Sequence, residues 1–325
     1  MMRWNDKPYH SLDYELKKRY GEKIYKIALD AGMTCPNRDG SCGSRGCIFC
    51  SAGGSGDFAV RTASIHTAAH TADNGRIRSI AAQLEQGKQY FHDKKIGTRF
   101  IAYFQAYTNT YAPAAQLEAL YRAALDEPSV AGISIATRPD CLGGDILSLL
   151  DRLNRMYAEK FIWVELGLQT IHADTAALIR RGYPLSVFAQ AAAQLRERSI
   201  PVITHVILGL PGEDPSMMLE TCRYLASSGV SGIKLQLLHV LENTDLVELY
   251  EKKTFAILEM MEYIDIVISC LEILPADMVI HRVTGDGPKD LLIAPRWSLD
   301  KRRVLNTLHR EMQRRATWQS KCCPH

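Results

Sequence analysis

The chain has no apolar run near the roughly 20 residues that cross a bilayer. Its first ten residues, MMRWNDKPYH, lack the apolar stretch of a secretory leader. The expectation is therefore a cytoplasmic protein with no membrane partner. Low-complexity segments, linkers rich in Gly, Pro or Ser, and visible repeats are also missing, which sets aside tethered modules and solenoids. Net charge is slight, at +3, but unevenly spread. Residues 301–325 carry seven Lys or Arg against Glu311 alone, so the rest of the chain is mildly acidic. A basic helix there is either a surface for a polyanion or simply a solvated face.

What the chain does have is cysteine. There are nine, an odd number, and four of them crowd between Cys35 and Cys50. In a reducing compartment such a crowd points to metal or redox chemistry before disulfides. The 325 residues, 46% hydrophobic and 23% charged, suit one large α/β barrel or two smaller domains.

Six strand-like runs recur: 23–29, 99–105, 130–137, 161–168, 201–209 and 232–241. Several are almost continuously apolar and rich in β-branched or aromatic residues, as in strands buried on both faces. Helix-period stretches lie between them, so a parallel sheet with right-handed crossovers is expected. Six units are too many for a small flavodoxin-like sheet and too few for a closed eight-unit barrel. The spacing predicts a partial (β/α)6 TIM-like barrel over 23–245. An N-terminal extension, 1–22, would precede it. A mostly helical C-terminal cap with a basic tail, 246–325, would follow and would include the short apolar run MVIHRV at 278–283. Chemistry in such a barrel sits at the C-terminal ends of the strands.

The first strand runs into AGMTCPNRDGSCGSRGCIFCSAGGSGDFA, residues 31–59. Thiolates suit iron–sulfur clusters and zinc. The C-x-x-C of Cys47 and Cys50 lets one tight turn grip neighbouring positions of a site, and Phe49 inside it can shield one side. With Cys35 there are three ligands, which would leave one iron of a four-iron cluster open to an external ligand. Adding Cys42 makes four, the number a structural zinc needs. That alternative describes a non-catalytic zinc-containing RNA-binding protein.

The sequence CPNRDG…GCIFC resembles the cluster loop of the radical SAM superfamily. The chain is particularly similar to a bacterial family related to the radical SAM domain of the Elongator catalytic subunit. The resemblance runs in order through YFQAYTNTYA (103–112), IATRPDCL (135–142), VELGLQTIH (164–172), RRGY (180–183), VILGLPGE (206–213), LLHVLENT (237–244), VIHRVTGD (279–286) and LIAPRWS (292–298). It implies a [4Fe–4S] cluster on Cys35, Cys47 and Cys50, with S-adenosylmethionine (SAM) as the second cofactor. It implies SAM contacts from Phe49, Gln105, Thr137, Arg138, Glu165, Gln169 and Gly209, with Thr108 and Asn109 near Gln105.

Each of these residues also has a plainer reading. TNTYA is a polar helix-capping loop, Arg138 pairs with Asp140, and GLPGE is an ordinary turn. Glu165, embedded in apolar sequence, needs a partner: the SAM ribose, Arg138, or a purely structural ion pair. His205, His239 and His281 lie in apolar runs and read first as core residues. By its place near a strand end His239 is alternatively read as facing substrate, and His281, Arg282 and Asp286 form a candidate substrate-contact group. Cys141, Cys222 and Cys270 read as packing residues, and Cys322 and Cys323 as a disordered tail. Kinship with Elongator implies tRNA as partner, at the C5 side chain of a wobble uridine, with a one-electron donor such as flavodoxin or ferredoxin. The length leaves no room for Elongator's acetyltransferase domain, so acetyl transfer is not expected. A small molecule or peptide is the alternative substrate.

Overall fold

The computed structural model describes residues 3–54, 73–93, 97–285 and 287–323. In chain order the elements are α1 (Leu12–Tyr20), β1 (Tyr25–Leu29), α2 (Asp73–Asp93), β2 (Phe100–Phe104), α3 (Ala114–Leu125), β3 (Val130–Thr137), α4 (Gly144–Met156), β4 (Phe161–Gln169), α5 (Ala173–Leu178), α6 (Leu185–Glu197), β5 (Val202–Leu208), α7 (Pro215–Ser227), β6 (Gly232–Leu237), β7 (Val240–Leu241), α8 (Leu246–Glu251), α9 (Met260–Ile273), β8 (Val279–Arg282), β9 (Leu292–Ala294) and α10 (Lys301–Arg314).

Seven strands form one parallel sheet in the order β1-β2-β3-β4-β5-β6-β8. It makes a half-barrel with helices around it. Every residue of β3 is buried, as the continuous apolar run VAGISIAT requires. Gly132 in that strand is forced by space: a Cβ there would stand 2.4 Å from the Phe161 carbonyl oxygen on β4. Helix starts follow local chemistry. Asp214 caps α7 by accepting from Met217 N at 3.0 Å, with Pro215 in the first turn. Ser11 caps α1, and Gly21 ends it in the left-handed region.

Two expectations need correction. MVIHRV is not part of a helical cap: its centre is β8, paired in parallel with β6 and tied to the N-terminal segment by the Ile280 N to His10 O bond of 2.7 Å. Six units therefore become seven strands, because a four-residue strand is too short to stand out by pattern. The tail is not loose. Gln319 N bonds Pro8 O at 2.9 Å, and Cys322 N bonds Glu272 O at 2.8 Å, so Cys322 and Cys323 fold back beside α9. Asp286 lies outside the described residues.

Candidate active site

The cysteine loop folds through its own backbone. Cys35 O accepts from Arg38 N at 2.8 Å, Pro36 O from Cys42 N at 2.8 Å, and Asn37 O from Gly46 N at 2.7 Å. Gly46, at φ +75°, sits where a Cβ would meet Arg38 Nε at 3.0 Å. The C-x-x-C turn closes with Cys50 N on Cys47 O at 3.1 Å. Arg38 donates to the Cys50 and Ser51 carbonyls at 3.2 and 2.5 Å. Asn37, buried, joins this loop to the one after α5: its Nδ2 reaches Arg180 O at 2.7 Å and Cys47 Sγ at 3.4 Å.

Cys35, Cys47 and Cys50 line one cavity of about 280 Å³. The hydrogen bond from the Cys50 thiol, with the Asn37 hydrogen bond and the charges of Arg138 and Arg180, outweighs burial and brings the Cys47 pKa down to about 6. That favours the thiolate, the form that binds metal. Cys42 lies elsewhere, exposed, on a separate cavity of about 520 Å³ that Cys141 also lines. A four-thiolate site is therefore not drawn together. Among the described residues, no group of three or more His, Cys, Asp or Glu meets the geometry of a single metal ion.

The structure brings Phe49, Gln105, Thr137, Arg138, Glu165 and Gln169 onto the same cavity wall, with Thr108. Asn109 is instead buried, its Nδ2 on Phe104 O and Ala136 O, both at 3.0 Å. Arg138 grips Asp140 with two bonds of 2.9 and 2.6 Å, the plainer reading, while still lining the cavity. Gly209 does not face the cysteines. It has φ +87°, a Cβ there would meet Leu258 at 3.0 Å, and it borders another cavity beside α7 and α9. The backbone has already turned outward there, and Ile207, Leu237 and Leu238 supply the apolar wall instead.

Glu165 takes the plainer of its readings, a structural ion pair, and it meets Lys26 and Lys234 and not Arg138. Its Oε1 accepts from Lys26 Nζ at 2.9 Å and Ser134 Oγ at 2.7 Å. Its Oε2 accepts from His205 Nε2 at 2.8 Å and from Lys234 Nζ. Four donors saturate it, which leaves no lone pair for a ribose. Burial pushes its carboxyl up, but the charges of Lys234 and Lys26 and the His205 bond outweigh that and hold it well below the usual carboxylate range. His205, bonded on its other nitrogen to Gln236 at 3.1 Å, is pushed down to about 4 by burial and by the Lys234 charge.

Both groups therefore favour folding at neutral pH and lose that effect on acidification. The unfolded chain takes up the His205 proton near the ordinary value of about 6.5, before the folded chain does. Its contribution is complete above about 6.5 and fades as the pH falls toward about 4; that of Glu165 fades at lower pH still. The unfolding midpoint temperature is expected to fall between pH 6.5 and 4, with a shallower slope in His205→Gln. Equal slopes in the two proteins would show that His205 does not titrate in this way.

Lys26, Lys234, Tyr103 and Gln236 escaped the sequence reading. The signal was there: apolar runs such as GIKLQLLHVL are interrupted by polar residues two apart, hence on one face. In register, His205 stands beside Lys234, and Lys234 beside Arg282. His239 lines the cavity and bonds Ser298 Oγ at 3.1 Å. His281 packs against the edge of Trp163.

A family model described as the Radical SAM superfamily matches residues 40–225. The chain belongs to the radical SAM superfamily. A second model, the Radical_SAM C-terminal domain, matches residues 230–314. Such proteins are enzymes, and the family implies an iron–sulfur cluster with SAM. Cys47 and Cys50 lie within the first match; Cys35 stands just ahead of it. The protein YtqA of Bacillus subtilis (strain 168) is 43% identical over 316 residues, 97% of this chain and 93% of its own length. A tRNA uridine(34) acetyltransferase of Dehalococcoides mccartyi (strain CBDB1) is 29% identical over 160 residues, 48% of this chain and 34% of its own length. Among solved structures, the archaeal Methanocaldococcus infernus Elp3 with an N-terminal deletion has a TM-score of 0.63 at 15% identity. The match covers 91% of this chain and 64% of that one, and it shows the shared fold of this radical SAM enzyme.

Proposed function

We propose that this radical SAM enzyme holds a [4Fe–4S] cluster on Cys35, Cys47 and Cys50 and acts on a uridine side chain in tRNA. The observation that carries the cluster reading is the sharing of one cavity by those three cysteines while Cys42 faces another. When bound, such a cluster supplies the electron that cleaves SAM to a 5′-deoxyadenosyl radical, which takes hydrogen from substrate. Everything else falls to the chain. Gln105, Thr137, Arg138 and Gln169 orient SAM on the cavity wall, Phe49 shields one side, and the saturated Glu165 fixes Lys234 and His205 on the floor. The electron would come from a flavodoxin or ferredoxin.

Two features support tRNA. One is the likeness to a tRNA uridine(34) acetyltransferase over about half of this chain. The other is α10, which buries Val304, Leu308 and Met312 and presents Arg302, Arg303, Arg310 and Arg314 to solvent, as contacts to phosphates require. Nucleosides from tRNA with and without the gene should differ at the wobble uridine. An unchanged profile would remove tRNA and leave a small molecule or peptide as substrate.

A further inference from the structure

The two edge strands of the half-barrel, β1 and β8, leave a lateral slot of about 560 Å³, walled by α2. No cysteine lines it, and it shares Tyr103, Gln105, Lys234 and Arg282 with the cysteine cavity. It is therefore a route to that cavity from outside, suited to the molecule that reacts rather than to what the cysteines hold.

Its lining is one-sided in charge. Lys26, Lys234 and Arg282 border the slot, and among the described residues no Asp or Glu does. Among the described residues the sole carboxylate on the adjoining cavity is Glu165, and its acceptor positions are filled. Lys234 and Lys26 share the one carboxylate, Glu165, so with Arg282 the cations on the slot outnumber the carboxylate that faces them. At the rim stands Tyr90, 56% exposed.

We propose that this slot binds an anionic nucleotide unit, with a flat base on Tyr90 and a carboxylate or phosphate on Lys26, Lys234 and Arg282. The proposal rests on the reading of the substrate as a nucleic-acid base. An aromatic platform beside a cationic groove is the usual chemistry for an unstacked base. The negative group sits either on the base or on the sugar–phosphate backbone.

Calorimetric titration of the anaerobically purified enzyme tests this with two ligand pairs. Uracil-5-carboxylate against uracil puts the charge on the base; uridine 5′-monophosphate against uridine puts it on the backbone. At least one charged ligand is expected to bind about tenfold tighter than its neutral partner, the size of a charge-assisted hydrogen bond. Lys26→Met should erase that preference. Because Lys26 also holds Glu165, Arg282→Gln serves as a second variant, with the same expectation. Tyr90→Ala should weaken all four ligands about fivefold or more through lost stacking and keep the charge preference. Equal binding within both pairs, or a preference that survives both charge variants, overturns the proposal. Formation of 5′-deoxyadenosine and the tRNA nucleoside profile are measured separately, so loss of the cluster or tRNA reading is told apart from loss of this one.

Discussion

Replacing Cys35, Cys47 or Cys50 by alanine is expected to strip iron and sulfide from the anaerobically purified protein and to abolish 5′-deoxyadenosine on addition of dithionite and SAM. Cys42→Ala should leave both in place. The contrast follows from position: three thiols share a cavity wall, and the fourth faces a separate cavity. A cluster bound by three thiolates has no spare protein ligand, so losing any one of them leaves a second iron exposed. Iron that survives all three substitutions, or zinc in place of iron that is lost with Cys42→Ala, would end the cluster reading.

Glu165→Ala is expected to be the most destabilising substitution in the barrel. It strands Lys234, whose side chain is 5% exposed, beside Lys26 with no counter-charge. Breaking a buried pair from one side costs about 3–5 kcal/mol, which in a chain of this size lowers the unfolding midpoint by on the order of 10 °C. Lys234→Met should cost less, because Glu165 keeps Lys26, Ser134 and His205. The pair Arg45–Asp245 gives the contrast, with Arg45 68% exposed. Arg45→Ala should change stability by about 0–1 kcal/mol. Scanning calorimetry of the three variants checks the order; a Glu165→Ala protein that melts with wild type would show that the buried charges do not depend on one another.

Much of the site was legible because the barrel rule links sequence to place. Gln105, Thr137, Arg138 and Gln169 each follow or end an apolar run, and strand ends at one side of a parallel sheet converge. Gly209 obeyed the same rule and failed. Two residues of outward turn are enough to carry a backbone from one cavity to another, and no one-dimensional pattern reports the direction of a turn. Glu165 was correctly flagged as needing a partner, and of the three readings the structural ion pair is the one it makes, with lysines in place of Arg138. Its partners, Lys26, Ser134, His205 and Lys234, come from strands scattered over more than 200 residues, and only register sets which of them meet.

The sequence alone determined the α/β repeat, the cysteine spacing and the apolar strands, because each is a local pattern with a period or a distance built in. Only the tertiary structure decided that VIHR closes the sheet as a seventh strand, that Cys42 stands apart from its three neighbours, and that one carboxylate answers two lysines inside the barrel. These depend on which segments become neighbours when the sheet curls. That is fixed by packing over the whole chain, where a side chain's partner is set by strand register and not by its distance along the sequence.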